Sequence, residues 1–226
     1  MASTPMLVHF ARYALTPSLW ALGDDGRAAV GSALRTALEG SADAVHLYDA
    51  FGTRADADLL VWSADRAESP DAALGFFAAL RDALKPFRRH VHLVDALWGF
   101  TRSSQYARGG SDRAIDPMTP RTRPYLVVYP FAKTHEWYRL EAEERRRMMS
   151  EHIRLGRSHE RVHQLLLYST GLQDHEFVVV YETDDLEDFS VLVAELRATE
   201  ARGFTLVDAP VLVGFHRPAG AGGPWP

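Results

Sequence analysis

Apolar positions along the chain fall into two textures. Short runs of β-branched and aromatic residues, of which Phe177-Val-Val-Val-Tyr181 is the densest, predict buried strands. Longer stretches with apolar residues at helical spacing predict amphipathic helices. In the first half, strands are expected near 6–13, 43–50, 57–63 and 89–100, and helices near 24–39 and 70–84. In the second half, strands are expected near 123–133, 161–168, 175–182 and 204–216, and helices near 140–157 and 184–202. Ser69-Pro70-Asp71 offers a cap with a first-turn proline. Thr183-Asp184-Asp185, with Glu187 following, offers another helix start. Each half therefore reads β-α-β-β-α-β, the ferredoxin-like order of an α+β fold, and two fused copies can close their sheets into a barrel-like core.

The two halves also repeat in sequence. Residues 91–102 and 206–217 both carry Leu-Val-Asp-Ala followed by Gly-Phe-x-Arg, and each is preceded by Leu-Arg, at Leu80-Arg81 and Leu196-Arg197. Val45-His46 corresponds to Val162-His163. At the openings, Leu7-Val8 and Phe10-Ala11 lead to Trp20 as Leu126-Val127 and Phe131-Ala132 lead to Trp137. The domain reading is an N-terminal half over 1–100, expected to be structural. An inter-half loop over 101–122, a C-terminal half over 123–217 and a Gly/Pro-rich tail over 218–226, expected to be disordered, complete it.

Composition narrows the chemistry. The 226 residues contain no cysteine, which excludes disulfides, zinc-thiolate sites, iron–sulfur clusters and thiolate-ligated haem. The net charge of −5 argues against nucleic acid as a partner. The run Arg145-Arg146-Arg147 is interleaved with Glu141, Glu143 and Glu144, as on a solvated helix face. No apolar stretch approaches the ~20 residues that span a bilayer. The N-terminal residues lack a basic region followed by a long apolar run, so the expected location is the cytoplasm, without membrane insertion.

Phosphate loops and nucleophile elbows are missing from the sequence. Candidate chemistry gathers instead on histidines and aromatics of the second half. Met148, His152 and Leu155 share one apolar stripe of a helix. From spacing alone His152 is either a core histidine or an axial haem ligand presented from an apolar face. Tyr129 and Lys133, four apart on one strand, face the same side, with Trp137 and Tyr138 close behind. They are either ordinary strand residues or a phenol and an ammonium converging on an anionic ligand. His163 and Gln164 alternate on the next strand, so only one of them can face a given pocket. Residues 171–176 read as a turn between strands.

The segments Tyr125 to Leu140, Glu141 to Ile153, Tyr168 to Asp185 and Glu195 to Ala201 resemble the chlorite dismutase and coproheme decarboxylase family. The resemblance is strong over 123–217 and weak over the first half, with a local match at Ser104-Gln105-Tyr106. It implies a dimeric α+β barrel type fold, a homo-oligomer that is commonly a pentamer, and haem b or coproheme as the iron porphyrin bound. His152 matches the axial iron ligand, and Glu195 or Glu200 is implied to orient its imidazole. Tyr129-Pro130-Phe131-Ala132-Lys133 matches the family segment whose tyrosine forms a radical during coproheme decarboxylation with hydrogen peroxide. Gln164 matches a distal glutamine, whereas chlorite dismutases carry an arginine there. The catalytic set implied is therefore Tyr129, Lys133 and Gln164. The cofactor contacts implied are His152, Tyr106, Trp137, Met148 and Leu155, with a propionate-binding arginine among Arg113, Arg121 and Arg123. A peroxidase-like enzyme, a haem carrier and, with an arginine elsewhere, a chlorite dismutase are the other activities that this resemblance leaves open.

Overall fold

A computed structural model describes residues 4–103, 106, 112–120 and 122–217. Its first half runs β1 (Met6–Leu15), α1 (Pro17–Trp20), α2 (Asp24–Glu39), β2 (Ala44–Asp49), β3 (Leu59–Arg66), α3 (Ala72–Leu84) and β4 (Val91–Thr101). The second runs β5 (Tyr125–Lys133), α4 (His135–Arg139), α5 (Ala142–Ser158), β6 (His163–Tyr168), β7 (Phe177–Thr183), α6 (Leu186–Arg197), β8 (Thr205–Val207) and β9 (Leu212–His216). Strand order is β4-β1-β3-β2 in the first half and β9-β5-β7-β6 in the second, all antiparallel. The ferredoxin-like order expected for each half is what forms.

Strand alternation sorts the side chains into three layers. Val8, Phe10, Tyr48, Trp62, Leu126, Val128, Leu167 and Val180 point inward and fill one core. Leu7, Ala11, Tyr13, Leu59 and Val61 point outward beneath α2 and α3, where Leu34, Leu38, Phe76 and Leu80 cover them. Val127, Val179 and Tyr181 point outward beneath α6, meeting Phe189, Leu192 and Leu196. Helix α6 begins where Asp185 accepts hydrogen bonds from the amides of Glu187 (3.0 Å) and Asp188 (3.2 Å), satisfying two orphan donors.

The halves join at two seams, β4 against β6 and β2 against β9, and each carries one copy of Gly-Phe-x-Arg. A Cβ on Gly99 would lie 2.7 Å from the Tyr168 carbonyl oxygen and 2.6 Å from Ser169 Oγ. One on Gly214 would lie 2.8 Å from Tyr48 Cβ. Both glycines are thus set by close approach across a seam. The motif arginines reach the opposite half: Arg102 lies over the Tyr168 ring at 5.3 Å, and Arg217 donates to Asp49 at 3.1 Å. Where β6 runs out, the Gln173 side chain continues the ladder along β4. It accepts from the Trp98 amide (2.7 Å) and donates to the Ala96 carbonyl (2.9 Å).

Several expectations need correction. The predicted helix over 184–202 stops at Arg197 and passes into a 3-10 turn, Glu200–Phe204. The predicted strand over 204–216 is two short strands, because Asp208-Ala209-Pro210-Val211 interrupts it and proline has no amide to donate. Helix α3 starts at Ala72, with Asp71 as cap residue, so Pro70 lies before the helix. The matched openings of the repeat are out of phase: Leu7 and Phe131 face outward, whereas Leu126 and Phe10 face inward. Ser104, Gln105, Gly109, Gly110, Arg121 and the tail after Arg217 lie outside the described residues.

Candidate functional site

Helix α5 buries only Met148 of its seventeen residues, and this sparse contact opens the candidate site. Its stripe divides between two clusters. Met148 packs with Trp137 and Ala201, and Tyr106 and Phe204 lean on them. Leu155 joins the outer cluster of β5, β7 and α6. His152 lies one turn from each, half-buried, with its Nδ1 sealed from solvent and without a hydrogen-bond partner among the described residues. Burial, and then the charge of Lys133, lowers its pKa to about 4. The ring is neutral at physiological pH and keeps a lone pair for an electrophile.

Lys133 ends β5 in the same region. Its Nζ donates to the Ala201 carbonyl (2.9 Å) and Thr205 Oγ1 (3.2 Å) and stands 4.5 Å from the Trp137 ring centroid. Burial and the nearby Arg202 lower its pKa to about 8, with Glu176 opposing them. The Lys133 amide is fixed by Glu176 Oε2 at 2.8 Å.

Tyr129 lies four residues, two strand repeats, earlier on the same face. Its ring stacks on Tyr181 with centroids 6.0 Å apart and an interplanar angle of 29°. Burial raises its phenol pKa, while a hydrogen bond with the Tyr181 hydroxyl pulls it down. Gln164 pairs in register with Tyr181 and shares its sheet face, with an exposed side chain. Its backbone is held by Arg113 and Ile115 (3.0 and 3.1 Å). His163 points the other way and is buried against Arg123, Nε2 to Nη2 at 2.9 Å. Of the two neighbours, Gln164 is thus the one that shares a face with Tyr129 and Lys133.

Other expected partners are engaged elsewhere. Arg113 donates to the carbonyls of Gly156 (3.3 Å), His159 (3.0 Å) and Arg157 (2.9 Å), capping the C-terminal end of α5. Arg123 pairs with Asp184 as well as His163. Glu195 bonds His159 Nε2 at 3.2 Å and Glu200 bonds Arg147 at 2.8 Å, so neither orients His152 as the resemblance implied. Two residues of the site escaped the sequence reading. Tyr181 reads in the sequence only as part of a buried run, and it is the register of β5 against β7 that puts it on the face of Tyr129. Glu176, read as part of a turn, receives the Lys133 amide and hydrogen-bonds Tyr138.

A half-buried neutral imidazole with a nitrogen that no protein group among the described residues occupies, flanked by Met148 and Leu155, has the donor chemistry of a single axial ligand to a flat, apolar iron macrocycle. The ammonium of Lys133 adds a counter-charge suited to carboxylate side arms. The residues therefore fit an iron porphyrin.

Comparison with known proteins agrees over most of the chain. The family model for chlorite dismutase matches residues 27–217. A coproheme decarboxylase of Mycolicibacterium smegmatis is 32% identical over 223 residues, spanning 94% of this chain and 90% of that protein. A solved structure assigned to the chlorite dismutases is 25% identical with a TM-score of 0.79, covering 96% of this chain and 97% of its own. A variant of the chlorite dismutase of Candidatus Nitrospira defluvii has the same fold, with a TM-score of 0.80 at 24% identity over 94% of this chain and 92% of that one.

Proposed function

The chain belongs to the chlorite dismutase family, and on that premise we propose that it is a coproheme decarboxylase, converting two propionates of coproheme to vinyl groups with hydrogen peroxide. The observation that carries the reading is the neutral imidazole of His152, its Nδ1 without a hydrogen-bond partner among the described residues, beside the Lys133 end of β5. The same-length relative named a coproheme decarboxylase supports the choice within the family.

Bound iron porphyrin supplies the two-electron chemistry with peroxide. His152 would hold the iron of that group. Met148, Leu155 and Trp137 form an apolar bed that excludes water. Tyr129 gives up its phenolic hydrogen and, as a radical, takes a hydrogen atom from the β-carbon of a propionate. Removal of a second electron releases carbon dioxide and leaves the vinyl group. For each propionate, one peroxide and one proton are consumed, and one carbon dioxide and two waters are formed. Lys133, still mostly an ammonium at neutral pH with its pKa lowered to about 8, pairs with a propionate oxygen and orients the carbon toward Tyr129. Gln164 borders the sheet side, where an uncharged amide can hold peroxide by hydrogen bonds.

Chlorite dismutation is disfavoured by this arrangement. Arg161, the arginine nearest Gln164 in sequence, is exposed and bonded to Asp185 at 2.9 Å. We further assign the protein to the cytoplasm as a homopentamer, in keeping with the family resemblance. Among the described residues, no helix is long and apolar enough to cross a membrane.

The test is to load the protein with iron coproporphyrin III, titrate with peroxide and follow porphyrin masses. Stepwise loss of two carboxyl groups, abolished in Tyr129→Phe, is expected. Binding without mass loss would overturn the decarboxylase reading in favour of a peroxidase or carrier.

A further inference from the structure

Tyr181 has no place in the mechanism above, yet it is the nearest redox-capable neighbour of Tyr129. The two rings stack at 6.0 Å and 29°, as diagonal neighbours on adjacent strands. Their hydroxyls are coupled closely enough to perturb each other, the pairing pulling the pKa of Tyr129 down and pushing that of Tyr181 up. Tyr181 is 5% exposed and its other side is closed by Phe189, centroids 5.1 Å apart. Val127, Val179 and Leu192 complete an apolar sleeve. Both phenols are held protonated by burial, so oxidation of either must be coupled to loss of its proton.

We infer that Tyr129 and Tyr181 form a radical-sharing pair, in which Tyr181 returns a hydrogen atom to Tyr129 whenever the radical forms without a propionate in reach. This rests on the assignment of Tyr129 as the residue oxidised by peroxide through the bound porphyrin. The exchange is balanced: the Tyr181 O–H bond breaks, an O–H bond forms on Tyr129, and the unpaired electron moves to the Tyr181 oxygen. No additional oxidant is required, because both phenols are chemically alike and the proton follows the electron between two neighbouring hydroxyls. The sleeve around Tyr181 then keeps the radical from water and from other side chains, while Tyr129 is restored as a hydrogen-bearing phenol.

The experiment uses full-length protein with ring-deuterated tyrosine, loaded with iron coproporphyrin III or with haem b, whose two reactive propionates are already vinyl groups. Peroxide is added and samples are freeze-quenched for electron paramagnetic resonance, with product masses measured in parallel. The wild type with haem b is expected to show two tyrosyl components. Tyr181→Phe, which removes only a hydroxyl, is expected to lose one component and to shorten radical lifetime several-fold, while still converting coproporphyrin. Tyr129→Phe is expected to lose both, because the pair is entered through Tyr129. Identical line shape and lifetime in wild type and Tyr181→Phe, or no tyrosyl signal in the wild type, overturns the pair and leaves the decarboxylase reading standing. Undiminished mass loss in Tyr129→Phe overturns the role given to Tyr129 instead, whatever the spectra of Tyr181→Phe.

Discussion

Each half of the molecule contains a neutral, desolvated histidine on the outer side of its sheet, and the two differ in almost everything else. His9 on β1 is 3% exposed, with Phe76 and Phe77 edge-on at 5.5 and 5.8 Å. Its pKa falls to about 4 from burial alone. His152 on α5 reaches the same value with a cation beside it and only partial burial. Both carry an unpartnered Nδ1. A depressed pKa and an orphaned nitrogen therefore do not by themselves mark a site. Packing separates them: in the first half α2 and α3 press Leu34, Leu38, Phe76 and Leu80 onto the sheet and seal His9 in. In the second half α5 contributes Met148 alone as a fully buried side chain and leaves the His152 ring half-buried.

The sharpest break of this comparison is His152→Ala. Iron coproporphyrin III is expected to lose its histidine-ligated absorption spectrum and the decarboxylation to vanish, with thermal unfolding of the apoprotein little changed. A large fall in melting temperature would instead make His152 a core residue like His9. Next in size, Phe76→Ala is expected to cost about 3–5 kcal/mol in denaturant titration, because Phe76 is 2% exposed in a filled layer. Leu155→Ala, half-buried in the open layer, should cost clearly less. Equal costs would mean that both helical layers are packed alike.

Acid should then reveal His9. Its folded pKa of about 4 lies below the ordinary 6.5, so above pH 6.5 folded and unfolded chains are both neutral there. Between these values only the unfolded chain takes up the proton, and stability falls by about 3 kcal/mol as pH drops through the window. Denaturation of His9→Leu at pH 7 and pH 5 should show a shallower loss than wild type. The smallest effect concerns the seams. Gly99→Ala is expected to destabilise by about 1–3 kcal/mol, more than Gly214→Ala, because its added methyl meets the Tyr168 backbone whereas that of Gly214 meets the side chain of Tyr48.

The elements were legible where one local rule decides them. Helical spacing found the Met148–His152–Leu155 stripe, and strand alternation put Tyr129 and Lys133 on one face. Gly-Phe-x-Arg was visible as a repeat, but its cause was not, since the clash that demands glycine comes from a strand of the other half. The repeat openings misled for a related reason: matching Leu7 with Leu126 ignores strand parity, which only the register of pairing fixes. Lys133 meeting Ala201 and Thr205, and Arg113 capping α5, join residues 68 and 43 or more positions apart, respectively. No periodicity encodes such contacts. That Arg113 caps α5 and Arg123 pairs with Asp184 and His163 was equally hidden, because spacing says nothing about which charges are already paired.

The Gln173 amide on β4 has a consequence for the protein's life at high concentration. At the β4–β6 seam the backbone pairs only at Phe100 and Thr101, leaving the neighbouring stretch of β4 with hydrogen-bonding groups that an extended segment of another molecule could template on. Gln173 occupies the amide of Trp98 and the carbonyl of Ala96, one donor and one acceptor of that stretch. With Ser169 Oγ donating to the Trp98 carbonyl beside it, the Gln173 side chain serves as a gatekeeper against strand addition along this stretch of β4.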